Sequence, residues 1–159
     1  MRRYLPNDDF SALHALLIRA FAYMEGRIDP PSSLERLDAD ALRAMSTTSE
    51  IWVIEDGGNP IACMILTPQP DALYLGKLAV DVIRRGQGLA RDLVHHAEAR
   101  ARALGLPRLR LQTRVELLEN HVTFAALGFA ITAQTAHPGY SRPTSLTMER
   151  AVLSCPSET

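Results

Sequence analysis

The segment Val82 to Leu93, VIRRGQGLARDL, sets Arg84 and Arg85 beside Gly86 and Gly88, where an apolar run gives way to a helical pattern. Such a joint is suited to anions. The first N–H groups of a helix have no acceptor within it, and the helix dipole adds positive potential. Glycine lets backbone approach an oxygen with no Cβ in the way. Arginine adds a charge-assisted hydrogen bond. The chemistry expected here is the holding of a phosphate or pyrophosphate. Two phosphate loops do not fit: no Gly-Lys-Ser/Thr follows a glycine at P-loop spacing, and Arg91 stands where a dinucleotide fingerprint has its third glycine.

The elements that must position this joint follow from periodicity. RRYL reads as a short strand. A helix follows, capped by Asn7 or Asp8, with Leu13, Leu16, Leu17, Ala20 and Phe21 on one face. GRIDPPSS breaks it. Ser32 with Glu35 predicts a capping box for a second helix through Leu34 and Leu37 toward Met45. EIWVIEDGGNPIACMIL predicts a hairpin turning at Gly57, Gly58 and Asn59. ALYLGKLAV is apolar enough for a central strand, about 72–82. A helix is expected from Gln87 to Leu104, a strand over 108–114, a short helix from Asn120 to Leu127, and two last strands in FAITAQT and SLTMERAV. The order predicts a mixed α/β domain on one sheet over residues 1–153, with a disordered tail at 154–159.

Composition narrows the class. The chain has 159 residues, 47% hydrophobic and 22% charged, as expected of a globular domain with a real core. No apolar run approaches the roughly 20 residues of a membrane span, and MRRYLPNDDF has no apolar core of a signal peptide. Cys63 and Cys155 are too few for a disulfide framework or a zinc site. Reduced thiols, a cytoplasmic location and no metal are expected. The net charge is −1, yet Lys77 to Arg114 carries +6 and the remainder −7. A basic middle in a near-neutral chain suits a local anionic ligand better than a nucleic-acid surface. An arginine-rich solvated helix face accounts equally well for most of these charges.

Arg85-x-x-Gly88-x-Ala90, after the strand KLAV, resembles motif A of the GNAT acyl-CoA N-acyltransferase superfamily, Gln/Arg-x-x-Gly-x-Gly/Ala. About thirty residues on, ENHVTFAALGF (Glu119 to Phe129) is similar to the family's second signature, an asparagine followed by an aromatic and Leu-Gly-Phe. The element order matches over nearly the whole chain, which resembles a small single-domain member of the bacterial type.

The resemblance implies a GNAT fold: a mixed, mostly antiparallel sheet of six or seven strands, about four helices, and splayed central parallel strands. The pantetheine arm of acetyl-CoA enters that splay. Leu78, Ala79 and Val80 would then face it with their backbone, an amide near Leu78 or Val80 stabilising the thioester oxyanion. Gly86, Gln87, Gly88, Leu89 and Ala90 would hold the pyrophosphate beside Arg85, and Asn120 would contact the cofactor arm.

The implied activity is acetyl transfer to a primary amine by direct attack on the thioester. The family's usual acid is a tyrosine; here that position is Phe124, which has no proton to give. Three readings stay open: solvent protonates the thiolate, whose free pKa is near 8.5; His121 or Tyr140 substitutes; or the domain binds acyl-CoA without turnover. Val82 is a further departure, since many members have proline there. Glu116 is the candidate base after the fifth strand. Glu25, Arg27 and Asp29 in the first interhelical loop are the candidate acceptor contacts, with His137, Tyr140 and Arg142 in HPGYSRP opposite. Both signs are present, so a zwitterionic small molecule, such as an amino acid or a polyamine derivative, fits, with a peptide α-amine as rival. Monomer and homodimer are both compatible with the family.

Overall fold

A computed structural model describes residues 1–153. The tail expected to be disordered, 154–159 with Cys155, lies outside the described residues. The elements run β1 (Arg2–Tyr4), α1 (Phe10–Phe21), α2 (Ala39–Met45), β2 (Glu50–Asp56), β3 (Asn59–Pro68), β4 (Leu73–Val80), α3 (Leu89–Ala103), β5 (Arg108–Arg114), α4 (Leu118–Ala126), β6 (Ala130–Thr135) and β7 (Ser145–Ala151). They form one seven-stranded sheet in the order β1-β2-β3-β4-β5-β7-β6. Every neighbouring pair is antiparallel except β4–β5. The expected fold class is therefore present.

Two cores lie on opposite faces of the sheet. On one, α1 buries Phe10, Leu13, Leu16, Leu17 and Ala20 against Ile51, Val53 and Ile65. On the other, α3 buries Leu93, Val94, Ala97 and Ala101 against Met64, Leu66, Leu73 and Leu109. A fully buried aliphatic side chain contributes about 1.5–3 kcal/mol relative to exposure, so these faces hold the layers together. A polar tie adds direction: Arg100 of α3 donates twice to Glu50 of β2, at 2.8 and 3.0 Å, and the Trp52 indole donates to the same carboxylate at 3.0 Å. Burial pushes the Glu50 carboxyl up, but those donors outweigh it and hold it below its ordinary value.

Several boundaries differ from the sequence expectation, each for a local reason. The cap of α1 is Asp9, which accepts the Ala12 N–H at 3.1 Å; Asp8 instead accepts from Leu5 N–H and Arg2. The helix expected from Ser32 to Met45 is two pieces. Ser32 caps a 3-10 turn, Ser33–Arg36, by accepting the Leu34 N–H. Leu37 is extended, and Asp38 then caps α2 through the Ala41 N–H. A second good N-cap inside the stretch restarts the helix. The helix expected from Gln87 begins at Leu89, because Gly88 at φ +79° is left-handed and cannot lie inside it. β4 stops at Val80, and Val82–Arg84 forms a 3-10 turn.

Among the described residues no helix is long and apolar enough to cross a membrane. Cys63 is buried, and burial pushes its thiol up to about 12.

Candidate active site

The parallel pair creates the site by failing to stay paired. β4 and β5 are in register only at Leu73–Leu109 and Tyr74–Arg110. Arg110 fastens that end, donating to Gln69 at 2.7 Å, to Glu149 at 2.9 Å and to Asp71 at 2.9 Å. Beyond it the strands separate, and a cleft of about 650 Å³ opens between Gly76–Leu78 on one side and Leu111–Arg114 on the other.

A bulge marks the β4 side. Ile65 pairs with Gly76 and Cys63 with Ala79, so Lys77 and Leu78 together oppose Met64. Lys77 has φ +50°, the only non-glycine residue at positive φ among those described. The Cys63 thiol sits 3.6 Å from the Lys77 carbonyl as its donor. The Leu78 and Val80 side chains pack toward the α3 face and Ala79 toward the α1 face. Leu78 also lines the cleft.

The Gly86–Gly88 loop follows β4 after the Val82–Arg84 turn. Gly86 and Gly88 both have φ near +80°. A Cβ at either would meet nothing within 4 Å, so the backbone angle rather than crowding calls for glycine. The N–H groups of Gly86, Gln87 and Gly88 find no backbone acceptor among the described residues. Leu89 and Ala90 open α3, where the next N–H groups are free of intrahelical partners. Arg84 pairs with Asp56. Arg85 turns toward α1, donating to the Ala20 carbonyl at 3.2 Å with its guanidinium carbon 5.5 Å from the Tyr23 ring centre.

Asn120 and Phe124 are four residues apart on α4, and both line the cleft. Phe124 packs edge-on against Phe129. Asn120 meets the end of α1: its Nδ2 donates to the Tyr23 hydroxyl at 3.0 Å. The structure thus brings a tyrosine hydroxyl to the α4 face that lacks one at Phe124, from a residue the sequence reading left out.

The expected catalytic and acceptor residues gather at the rim. Tyr140 donates to Asp29 at 2.6 Å, and Arg142 approaches the same carboxylate at 3.4 Å. The Asp29 N–H donates to Glu116 Oε2 at 2.9 Å, while Glu116 Oε1 is buried without a partner. Arg27 forms a two-bond pair with Glu119 at 2.5 and 3.0 Å. These pairs tie the α1–α2 loop to α4 and to the β6–β7 loop. The Asp29 carboxylate pushes the Tyr140 phenol up. His121 Nε2 lies 2.9 Å from the Arg114 carbonyl, which holds the ring against the end of β5. Glu25 lines a smaller neighbouring cavity of about 360 Å³. None of Glu25, Arg27, Asp29, Glu116, His121 and Tyr140 lines the main cleft.

The cleft's own charged lining is instead Arg36, Lys77 and Arg114, with no aspartate or glutamate among the described residues. Lys77 is the only lysine in the chain, set in the apolar run ALYLGKLAV. That isolation was a readable signal. Arg114 and Tyr23 carried none, because each depends on the splay and on the packing of α1 against it. Among the described residues no three His, Cys, Asp or Glu side chains group closely enough to hold a metal ion.

Residues 11–129 match the model of the acetyltransferase (GNAT) family. Among solved structures, aminoglycoside 6'-acetyltransferase type Ii is 18% identical over 98% of each chain, with a TM-score of 0.74. An aminoglycoside 6'-N-acetyltransferase complexed with coenzyme A is 16% identical over 98% of each chain, at 0.73. A GNAT family acetyltransferase from Elizabethkingia anophelis with acetyl-CoA bound is 15% identical, covering 94% of this chain and 95% of that one, at 0.67. At such identities the likeness shows the fold. No curated protein matches the chain by sequence. The family match spans well over half of the 159 residues, and with the splayed strands and glycine loop it covers, the chain belongs to the acetyltransferase (GNAT) family.

Proposed function

We propose that the protein transfers the acetyl group of acetyl-CoA to the primary amine of a small molecule. The observation that carries this reading is the run from the β4 bulge into the Gly86–Gly88 loop. It sets free backbone beside an open strand gap and free N–H groups at the start of α3. The gap takes the pantetheine arm and the loop the pyrophosphate. The amine nitrogen bonds to the thioester carbon, the C–S bond breaks, and CoA leaves as a thiolate that takes up a proton. The oxyanion formed on the way is held by a β4 amide at Leu78 or Val80.

Tyr23 is the proton donor in this scheme. Its hydroxyl is bonded to Asn120, on the same face of α4 as Phe124, and it lines the cleft. Glu116, whose Oε1 has no partner, is the candidate base beside the cleft. The test is release of free CoA thiol from acetyl-CoA across a broad panel of primary amines. Turnover with at least one small amine supports the reading. Tight acetyl-CoA binding with no thiol release from any amine, small or peptide, favours a domain that binds acyl-CoA without transfer.

A further inference from the structure

Three cations line the cleft, and none of them is neutralised. Most of the protein's arginines are paired with carboxylates, but among the described residues no ion pair involves Arg36, Lys77 or Arg114. Arg114 uses one nitrogen on the Pro31 carbonyl at 3.2 Å; its Nη1 is buried with no partner. Thr113, its neighbour in β5, also lines the cleft, and its hydroxyl is buried without a partner. Lys77 Nζ has only the Ser33 hydroxyl at 3.1 Å. Burial, and then the nearby Arg114, pull the Lys77 ammonium below the ordinary lysine range. Two like charges that crowd each other, with a buried donor idle between strand and loop, describe a place for an anion.

We propose that this end of the cleft holds the carboxylate of the acceptor, so that the substrate is a small amine that also bears a carboxylate, such as an amino acid. The proposal rests on the acetyltransferase reading above and narrows it. Lys77 immediately precedes Leu78, so the anion site adjoins the place of the thioester rather than a remote wall. That suits an amine and a carboxylate a few bonds apart. The carboxylate takes no part in bond-making: Lys77 and Arg114 hold it, and Arg36 adds attraction from its exposed position. A polycation such as an aminoglycoside or a polyamine meets three positive groups and no carboxylate in the same cleft.

The experiment compares matched acceptors with the full chain and acetyl-CoA. Amino acids, their amides, the corresponding decarboxylated amines, spermidine and kanamycin are assayed by CoA thiol release. The expected result is a kcat/KM for the best amino acid about 100-fold above its amide, as for a buried charge pair made or left unmade. Lys77→Met and Arg114→Gln should each reduce that ratio to below tenfold, through the KM of the acid. A second readout needs no turnover. Because Lys77 is the only lysine, an amine-reactive ester reports on it apart from the N-terminus. N-acetyl amino acids, which have no free amine, should slow its labelling, while their amides should not. Amides or polycations that match the acids, failure of every carboxylate-bearing amine to react, or absence of protection would each overturn the carboxylate site. Failure of the wild-type protein to bind acetyl-CoA overturns the underlying acetyltransferase reading, and is measured separately.

Discussion

Tyr23 and Phe124 pose one question between them. A thiolate is a tolerable leaving group that water can protonate, so a missing acid would slow the proposed reaction without abolishing it. Tyr23 brings a hydroxyl to the cleft from the end of α1 and keeps it there through Asn120. Its ring also faces the guanidinium carbons of Arg85 and Arg27, at 5.5 and 5.9 Å, which fixes the ring between loop and rim. Tyr23→Phe should lower kcat about 10–100-fold, at or below the lower end of the range for a positioned acid because solvent partly substitutes. Its acetyl-CoA Kd should stay within about threefold, since the aromatic ring remains. Adding Phe124→Tyr to that variant should restore much of the rate. An unchanged kcat in Tyr23→Phe assigns the proton to solvent. The glycine motif and Asn120 were legible in the sequence because backbone angles and family spacing are local. Tyr23 was not, because its partner lies 97 residues away.

The attachment of α3 decides where the Gly86–Gly88 loop sits. Its apolar face buries four side chains on β3, β4 and β5, and Arg100 fixes its rotation against Glu50 of β2. The Glu50 carboxyl is held below its ordinary value in the fold. A carboxyl depressed in the folded state contributes stability that is complete above its unfolded pKa, about 4.3–4.5, and is lost as pH falls through the folded value. Glu50→Gln should therefore cost about 1–2 kcal/mol at pH 7, for weakened bonds to a charged donor. In denaturant titrations from pH 7 down to about 3.5 that difference should shrink only below about pH 4.5. A difference constant through that range would show that the Arg100 tie adds nothing beyond packing. Periodicity made α1, α3 and the β2–β3 hairpin readable, since each buries one face at a regular spacing. The broken stretch from Ser32 to Met45 was not, because the choice between one helix and two rests on whether Asp38 caps. The bulge at Lys77 was hidden too: it is a mismatch of register between two strands, and no single strand carries it.

Taken whole, the molecule is a sheet that opens at one point. Six strand pairings hold it, and the single parallel one lasts for two residue pairs before it parts. The negative charge outside the Lys77–Arg114 segment is spent largely at the rim and in ion pairs, as between Arg27 and Glu119, or Asp29 and Arg142. Among the described residues the charged lining of the cleft is cationic. Of the expected acceptor contacts, Arg27 is paired with Glu119 and Asp29 is held by Tyr140 at the rim, while Glu25 lines the smaller cavity. In the proposed reading the splay and the glycine loop together hold acetyl-CoA. The most direct measurement is a calorimetric titration of the purified protein with acetyl-CoA, with ATP and NAD beside it, for the wild type and an Arg85→Glu/Gly88→Glu double variant. The expected result is saturable binding of acetyl-CoA alone, lost in a variant that still melts cooperatively. Binding that survives the double variant, or no binding by the wild type, would contradict it.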